Sequence, residues 1–380
     1  MSSPELTERQ AFMILNDLPN IGPITLNRLL VEFGGDPIAI LSGQKRRLES
    51  VRGVGPETSA AVLNWRTHFD LPREEERLAQ AGATFITVRD PAYPRLLKEI
   101  SDPPIGLYRK GDYACDQPCV AIVGSRRTTL YGQATAKKLG AELARLGFCV
   151  VSGLARGIDT AAHEGALAVG GRTVAVTGTG IDIIYPSENL GLYRRIAESG
   201  AVLSEFPFGR KADRQSFAMR NRIVSGMSEA VIVVESDVDG GAMITARFAG
   251  EQGRLLFAVP GRIDQPSSAG CHQLIRDGAT LLTGVDDVLS ELNYLQGLRP
   301  SAVAAAPGQP SLLEQLQVGL SEAERRVIEC FRGGGILGID QLAAHTGLPA
   351  PEISATLMLL ELKKLVSKRA DGTFELRSPA

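Results

Sequence analysis

The sequence predicts an α/β protein whose core is a parallel sheet, preceded by a helical domain and followed by a winged helix. Strand and helix patterns alternate from about residue 82 to 296, as they do in parallel α/β sheets. Residues 1–75 show helical periodicity interrupted by two similar turns, and residues 312–380 show helix, turn, helix and hairpin in that order. The stretch 297–311, rich in Pro, Ala and Gly and almost uncharged, is typical of a linker.

The composition is that of a globular protein from a reducing compartment. Of the 380 residues, 44% are hydrophobic and 22% are charged, and no apolar run reaches the roughly 18 residues of a membrane span. The N-terminal sequence MSSPELTERQ lacks the basic-then-apolar order of a signal peptide. Five cysteines are an odd number for a disulfide framework, and the four histidines lie far apart. We therefore expect a cytoplasmic protein without a membrane segment, cofactor or metal.

The net charge of −2 conceals two basic stretches. Residues 120–172 carry seven basic and three acidic groups, an excess of +4. Residues 204–226 carry five basic and two acidic groups, an excess of +3. These excesses predict a positive face on a nearly neutral protein, unless the arginines are scattered over the surface.

Two similar turns organise the N-terminal segment. The stretches LPNIGPITLNRLL and VRGVGPETSAAVL each place Ile or Val before Gly-Pro, with Gly22 and Gly55 at the turns and a helical pattern after them. The pair resembles a tandem helix-hairpin-helix (SAM-like) domain, in which the turn offers backbone N–H groups to phosphate. The alternative is two ordinary Gly-Pro turns in a small helical domain.

Short apolar runs supply the strands of the predicted sheet, at 84–88, 119–123, 148–152, 173–177, 201–204, 230–234 and 255–259. Helical patterns such as 130–146 and 157–169 separate them. Ligands of parallel sheets bind outside the carboxyl ends of the strands, so the residues after each strand are the candidate site. Small or glycine-containing turns recur there: Gly124-Ser125-Arg126-Arg127, Ser152-Gly153 with Arg156, Gly178 and Gly180 before Tyr185-Pro186, Ser204-Glu205, Glu235 with Gly240-Gly241, and Gly261-Arg262. Together they predict a long groove of backbone N–H groups and helix N-termini that suits phosphates.

The predicted groove lacks the residues of an enzyme. The chain has no Gly-x-x-x-x-Gly-Lys-Ser/Thr motif for triphosphate, and Gly178-Thr179-Gly180 lacks the third glycine of a dinucleotide fingerprint. His163 has no neighbouring Ser or Cys for which it could act as a base. Arg126 and Arg127 stand where a nucleotide fold usually has bare backbone, and guanidinium groups bind phosphate and stack on bases. They predict a polyanion that does not react; the alternative is that they pair with Glu205, Glu235 or Asp182.

The C-terminal segment has the element order of a winged helix. Ser321 and Glu324 form a predicted capping box, Gly347 marks the turn between two helices, and Asp371-Gly372 is a hairpin turn. The second helix, over 350–366, would read DNA in a typical member, but here it has no net charge and is rich in Leu and Met. We expect a protein-contact or stabilising module.

Several stretches in a fixed order resemble the DNA-processing protein A (DprA/Smf) family. They span about residues 93–281 and are YPRLLKEISDPPIGLYRKGD, AIVGSRRTTLYG, SGLARGIDTAAHEGAL, VAVTGTGIDIIYPSEN, SEFPFG, FAMRNRIVSGMSEAVIVVE and FAVPGR…GCHQLIRDGA. The resemblance implies an extended Rossmann-like fold for the sheet. It also implies a homodimer that binds single-stranded DNA without hydrolysing it, protects incoming strands in natural transformation and loads the RecA recombinase for homologous recombination.

The resemblance also implies which residues bind DNA. The family's Gly-Ser-x-Arg site matches Gly124, Ser125 and Arg127, and its Phe-x-x-Arg-Asn-Arg stretch matches 217–222. Combined with the strand ends, the predicted DNA-binding residues are Gly124, Ser125, Arg126, Arg127, Gly153, Arg156, Asn189, Phe217, Arg220, Asn221, Arg222, Gly240 and Gly241.

The chain departs from the family pattern at two positions. Ala218 stands where many relatives have Pro, and Ser187 stands where some have Lys. The second change removes a cation, so that end of the groove either holds DNA less tightly or relies on Arg156.

Two other functions are compatible with parts of the sequence. A nucleoside-monophosphate phosphoribohydrolase of the lysine-decarboxylase-like Rossmann group would use Pro-Gly-Gly-x-Gly-Thr and a nearby Glu. Here the stretch 240–245 lacks the third glycine and the next acid is Glu251. A transcription regulator would read duplex DNA with the winged helix, whose neutral second helix argues against it. Release of free base from nucleoside monophosphates would identify the first, and duplex binding by residues 312–380 the second.

Overall fold

The chain divides into two units, Met1–Ala305 and Ala306–Ala380. The computed structural model describes residues 6–292, 320–331, 337–363, 365–368 and 372–376. The predicted linker at 297–311 lies outside the described residues, so the predicted domain boundaries stay predictions. Among the helices that are described, none combines the length and apolar character that a membrane crossing requires.

The first unit opens with helices that share a core with the sheet. They are α1 Glu8–Asp17, α2 Pro23–Glu32, α3 Pro37–Leu41, α4 Lys45–Glu49, α5 Pro56–Leu63 and α6 Leu71–Ala81. Thr7 caps α1 in a reciprocal pair with Gln10, and proline stands in the first turn of α2 and α5, directly after Gly22 and Gly55. Both predicted Gly-Pro turns therefore begin helices. The buried side chains of these helices join a cluster that includes Phe85 of the sheet.

The sheet of the first unit has the strand order β1-β2-β6-β5-β4-β3-β7-β8-β9. Its strands are β1 Ala83–Thr87, β2 Gly106–Lys110, β3 Cys119–Val123, β4 Cys149–Ser152, β5 Thr173–Val176, β6 Ala201–Ser204, β7 Ala230–Val233, β8 Leu255–Ala258 and β9 Thr280–Leu281. From β3 to β9 all pairings among these strands are parallel, which confirms the predicted α/β core. β1 and β2 add an antiparallel edge.

Helices cover both faces of the central strands. They are α7 Leu130–Arg145, α8 Ile158–Ala168, α9 Leu190–Ser199, α10 Arg214–Gly226, α11 Gly241–Glu251, α12 Pro266–Arg276 and α13 Val285–Glu291. Val120 and Ile122 of β3 pack with α7, α8 and α13, whereas Ala121 and Val123 pack with α10, α11 and α12. Burial on both faces explains why these strands are continuous apolar runs.

Two strands, β2 and β9, were not among the predicted ones. In β2 the first half is buried and the second half, Arg109 and Lys110, is half-buried, so the strand has neither an apolar run nor a clean alternation. Its place is fixed by pairing with β1 and β6, which lie far away in sequence. Gly106 starts the strand because the ring of Phe85 fills the space that a Cβ would need. The strand β9 consists of two exposed residues at the sheet edge.

The second unit has the predicted winged-helix order and its own core. It contains α14 Glu322–Cys330, α15 Ile339–Thr346, α16 Ala350–Leu362, β10 Val366–Lys368 and β11 Phe374–Leu376. Ser321 and Glu324 form the predicted capping box, and Gly347 ends α15 with φ of 70°, which favours glycine. β10 and β11 pair antiparallel. Position 371 of the predicted hairpin turn lies outside the described residues.

Candidate nucleic-acid interface

A cleft of about 790 Å³ opens at the carboxyl ends of β3 and β7, which are neighbours in the sheet. The chain leaves β3 through α7 on one face and leaves β7 through α11 on the other, so the cleft lies where the connections change direction. Ten of the thirteen predicted DNA-binding residues line it: Gly124, Ser125, Arg126, Arg127, Gly153, Phe217, Arg220, Asn221, Gly240 and Gly241. The ends of β6 and β8 do not line this cleft, so the predicted longer groove over all six strand ends stays a prediction.

The loop after β3 carries two exposed arginines into the mouth of the cleft. The backbone N–H of Arg127 donates to Ser125 Oγ at 3.1 Å. Within the described ranges, neither Arg126 nor Arg127 forms an ion pair. Both guanidinium groups are therefore available to an anion.

The three carboxylates considered as braces for these arginines have other partners. Glu205 accepts from Arg222 at 2.6 Å, and Asp182 accepts from the backbone N–H of Gly209 at 2.8 Å. Glu235 accepts from Thr128 Oγ1 at 2.6 Å. Pairing of Arg126 and Arg127 with these three acids, the alternative drawn from the sequence, is therefore wrong.

Phe217 forms the aromatic wall of the cleft. Its ring centroid lies 5.1 Å from the guanidinium carbon of Arg126 and 5.4 Å from the ring centroid of Tyr185. A Cβ at Gly178 would lie 2.7 Å from the Phe217 ring, so this glycine gives the ring its place. Tyr185 follows one of the predicted strand ends and is not among the predicted DNA-binding residues, yet it lines the cleft and is 42% exposed.

Arg220 lies at the floor of the cleft and is only 4% exposed. Its Nη1 donates to the Val176 carbonyl at 2.6 Å, and among the described residues its Nε has no hydrogen-bond partner. Burial lowers the pKa of Arg220 to about 10, with Asp159 opposing the shift, so the side chain is charged at neutral pH. Burial raises the pKa of Asp159, against the positive charge of Arg220. The floor therefore combines a buried cation with a buried acid.

The helix N-termini around the cleft differ in what occupies them. Thr129 caps α7, and its hydroxyl and backbone N–H both donate to the Glu235 carboxylate. Asp213 caps α10 in a reciprocal pair with Ser216. The N-cap of α11, Gly240, has no side-chain cap, and both Gly240 and Gly241 line the cleft. An anion in the cleft would find the N-terminus of α11 open and that of α7 filled by a protein carboxylate.

Three predicted residues lie outside the cleft. Arg222 is 2% exposed and bonds to Glu205, with its Nε 3.0 Å from Asp102 Oδ2. Asn189 is buried and donates to the Leu154 carbonyl at 2.9 Å and to a threonine hydroxyl. Both side chains are buried in the fold and do not line the cleft, so the DNA contacts that the sequence predicts for Arg222 and Asn189 stay predictions.

Arg156, the third of these residues, is exposed but forms an ion pair with Glu188. It would have to exchange this carboxylate for a phosphate in order to bind DNA. The position is therefore not the free cation that the sequence analysis expected near Ser187.

The remaining motifs lie apart from the cleft or are structural. Gly22 and Gly55 are N-caps without side-chain caps, and Arg28 donates to the Arg52 carbonyl at 3.1 Å, joining the two turns. His163 is fully buried against Thr173, and burial lowers the pKa of His163 to about 3, so it is a neutral packing residue. In the described part of the chain, no three His, Cys, Asp or Glu side chains form a group that could hold a metal.

Comparison with known proteins gives consistent similarities. A family model described as DNA recombination-mediator protein A matches residues 84–293, and one described as DprA winged helix domain matches 300–372. Protein Smf of Synechocystis sp. is 34% identical over 98% of this chain and 99% of its own length. DNA processing protein DprA of Bacillus subtilis is 41% identical over 62% of this chain and 80% of its own length.

Two solved structures are similar over most of their own length. The X-ray structure of DNA processing protein A from Streptococcus pneumoniae has 34% identity and a TM-score of 0.66, covering 76% of this chain and 98% of that one. A structure of DNA processing protein A from Helicobacter pylori, described for its single-stranded DNA binding mode, has 33% identity and a TM-score of 0.51. It covers 56% of this chain and 96% of that one.

Proposed function

Since the chain belongs to the DNA recombination-mediator protein A (DprA/Smf) family, we propose that it binds single-stranded DNA in the cleft between β3 and β7 without reacting with it. A DNA-processing role is supported by the names of its relatives, and the H. pylori relative is described as binding single strands. The observation that carries the proposal is the loop with Arg126 and Arg127, whose exposed guanidinium groups stand at the cleft mouth without ion-pair partners in the described residues.

The geometry supports phosphate at the rim and a base against the wall. Arg127 and the open N-terminus of α11 offer charge and backbone N–H groups to a phosphate. Phe217 and Tyr185 offer ring surface beside them. A duplex keeps its bases stacked inside, so only an unpaired strand can use both the rim and the wall. Single strands should therefore be preferred to duplexes.

The test is a titration of the purified chain with a labelled single-stranded oligonucleotide and with its duplex, followed by fluorescence anisotropy across salt concentrations. We expect the single strand to bind more tightly and its log affinity to fall linearly with log salt, by about 0.7 for each phosphate neutralised. Equal affinity for duplex would contradict the proposal. Release of free base from nucleoside monophosphates would identify the phosphoribohydrolase alternative instead.

We also propose the wider role that the family resemblance implies. The chain would act in the cytoplasm as a homodimer that protects single strands in natural transformation and recombination, and would load RecA onto them. The winged-helix match over 300–372 supports a domain organisation shared with the family. Light scattering measures the dimer, and assembly of RecA on strands covered by a single-strand-binding protein measures loading. A monomer at micromolar concentration, or no gain in RecA assembly, would contradict these parts.

A further inference from the structure

The loop that carries Arg126 and Arg127 is held at both ends by one residue, Glu235, which lies just after β7 and is 3% exposed. At the start of the loop, its backbone carbonyl accepts the N–H of Ser125 at 2.7 Å. At the end of the loop, its carboxylate accepts Thr128 Oγ1 at 2.6 Å, the Thr129 N–H at 2.9 Å and Thr129 Oγ1 at 2.6 Å.

Close packing restricts the movement of Glu235 and of the loop that it holds. A Cβ at Gly132, in the first turn of α7, would collide with the Glu235 carboxylate. On the other side of the loop, the Ser125 carbonyl accepts the N–H of Ile158 at 3.3 Å. Only Arg126 and Arg127 lie between these anchors. The direction in which their side chains point therefore depends on the hydrogen bonds that Glu235 makes to Ser125, Thr128 and Thr129.

The negative charge of Glu235 and its hydrogen bonds to the loop should affect DNA binding in opposite directions. A carboxylate close to a phosphate-binding arginine repels the phosphate, so by charge alone it would weaken DNA binding. It also fills the N-terminus of α7, which would otherwise attract the phosphate itself. A residue that opposes the ligand by charge can favour binding only through geometry.

We propose that Glu235 is a positioning residue for single-strand binding: it fixes the loop so that Arg127 meets the phosphate, and it directs the phosphate away from α7 toward Arg127 and α11. This inference rests on the proposed function, and it concerns how the arginine is presented rather than which residue touches DNA.

The experiment is a double-mutant cycle of Glu235→Gln with Arg127→Ala, measured as affinity for a labelled single-stranded oligonucleotide. Glutamine keeps the shape of the side chain but has an NH2 group in place of one carboxylate oxygen, so it cannot accept all three hydrogen bonds. We expect Glu235→Gln to weaken binding about five- to tenfold in the wild-type background and less than twofold in the Arg127→Ala background, because it acts through Arg127. Thr128→Val with Thr129→Val, which keeps the charge but removes both hydroxyl donors, should weaken binding in the same direction.

A matched control is Asp287→Asn. Asp287 accepts the N–H and Oγ1 of Thr283 at 2.6 and 2.9 Å at the start of α13, and it does not line the cleft. We expect it to change stability but leave affinity within twofold. Tighter binding by Glu235→Gln, or an equal loss in both backgrounds, would overturn the inference while the proposed function stands. If the wild-type chain binds no single strand, the proposed function itself fails.

Discussion

Arginines of this chain that look alike in sequence have different physical roles. Arg126 and Arg127 are exposed at the cleft mouth, Arg220 is buried at the floor with one carbonyl partner, and Arg222 is buried in an ion pair. A guanidinium that is exposed and unpaired can bind a phosphate at little cost to the fold. One that is buried between carboxylates compensates their charge, so that removing it is expected to destabilise the fold, and it lies away from the cleft.

Arg127→Ala should weaken single-strand binding uniformly across base sequences. The expected loss is roughly 1.5–3 kcal/mol, because a charge-assisted contact to phosphate disappears. The slope of log affinity against log salt should fall in magnitude by about 0.7, which corresponds to one phosphate of a single strand. Anisotropy titrations at several salt concentrations measure both, with the melting temperature as a control. Normal affinity, or weak affinity explained by unfolding, would mean that this arginine does not bind DNA.

Arg222→Met should lower the stability of the fold and leave the affinity for single-stranded DNA nearly unchanged. Removing the cation leaves Glu205 and Asp102 without their partner in a largely buried site, so the free energy of unfolding should fall by about 3–5 kcal/mol. Urea unfolding measures the loss, with the exposed Arg247→Ala as the control. At temperatures well below the melting temperature of the variant, its affinity for single-stranded DNA should stay within twofold of the wild-type value. A stable variant that fails to bind would return Arg222 to the DNA-contacting set.

At the scale of elements, an acidic cluster joins α1 and α6 to the sheet. Asp17 ends α1, Glu74 lies on α6, and Tyr108 of β2 donates to Glu74 at 2.9 Å. Burial, and next the charge of Glu74, raise the pKa of Asp17 to about 7, with Arg77 opposing the shift. Packing of the helices on the sheet thus holds Asp17 protonated at a pH where the unfolded chain would ionise it.

This cluster predicts that the chain is less stable at pH 8 than at pH 5. Between about pH 4 and pH 7 the unfolded chain loses the Asp17 proton while the folded chain keeps it. Rising pH therefore favours unfolding, by about 4 kcal/mol over the whole range and about 3 kcal/mol between pH 5 and pH 8, and the loss is complete above the folded pKa. Asp17→Asn should flatten this dependence in urea unfolding at pH 5, 6, 7 and 8. Glu76→Gln on the exposed face of α6 is the control. A wild-type profile that rises with pH would contradict the prediction.

At the scale of the whole molecule, the two units have separate cores. The helices α1 to α6 share their core with the sheet, so they cannot be removed without exposing apolar surface. The winged helix has its own cluster, built around Val327, Phe331 and Leu357. The helix α16 presents Met358, Leu359 and Leu362 to the surface, at 65%, 51% and 71% exposure, rather than basic residues. A surface of this composition is a poor groove reader.

Removing residues 306–380 should leave single-strand affinity within about threefold, a difference of under roughly 0.7 kcal/mol. The residues that line the cleft all belong to the first unit, and the described helices of the second unit carry no excess of basic residues. Anisotropy with the shortened and full-length chains measures the difference, and circular dichroism checks that the first unit remains folded. A loss of tenfold or more would show that the winged helix contributes to binding.

The sequence by itself determined the parallel core, because strands buried on both faces are continuous apolar runs that local patterning reveals. It determined the Gly-Pro helix starts and the capping box at Ser321, since these depend on residues within one turn of each other. It also pointed to the edge of the sheet where a ligand would bind, since parallel strands bring their carboxyl ends together.

Only the tertiary structure decided which polar residues at that edge are free. Arg220 and Arg222 lie two positions apart on α10, yet Arg220 lines the cleft whereas Arg222 pairs with Glu205. The fold brings Glu205, which follows β6, next to Arg222. Glu235 holds Thr128 and Thr129 across more than a hundred residues of sequence, a contact that no local pattern encodes. The physical reason is that a charged side chain is held by whichever partners the packed strands and helices bring within hydrogen-bonding distance.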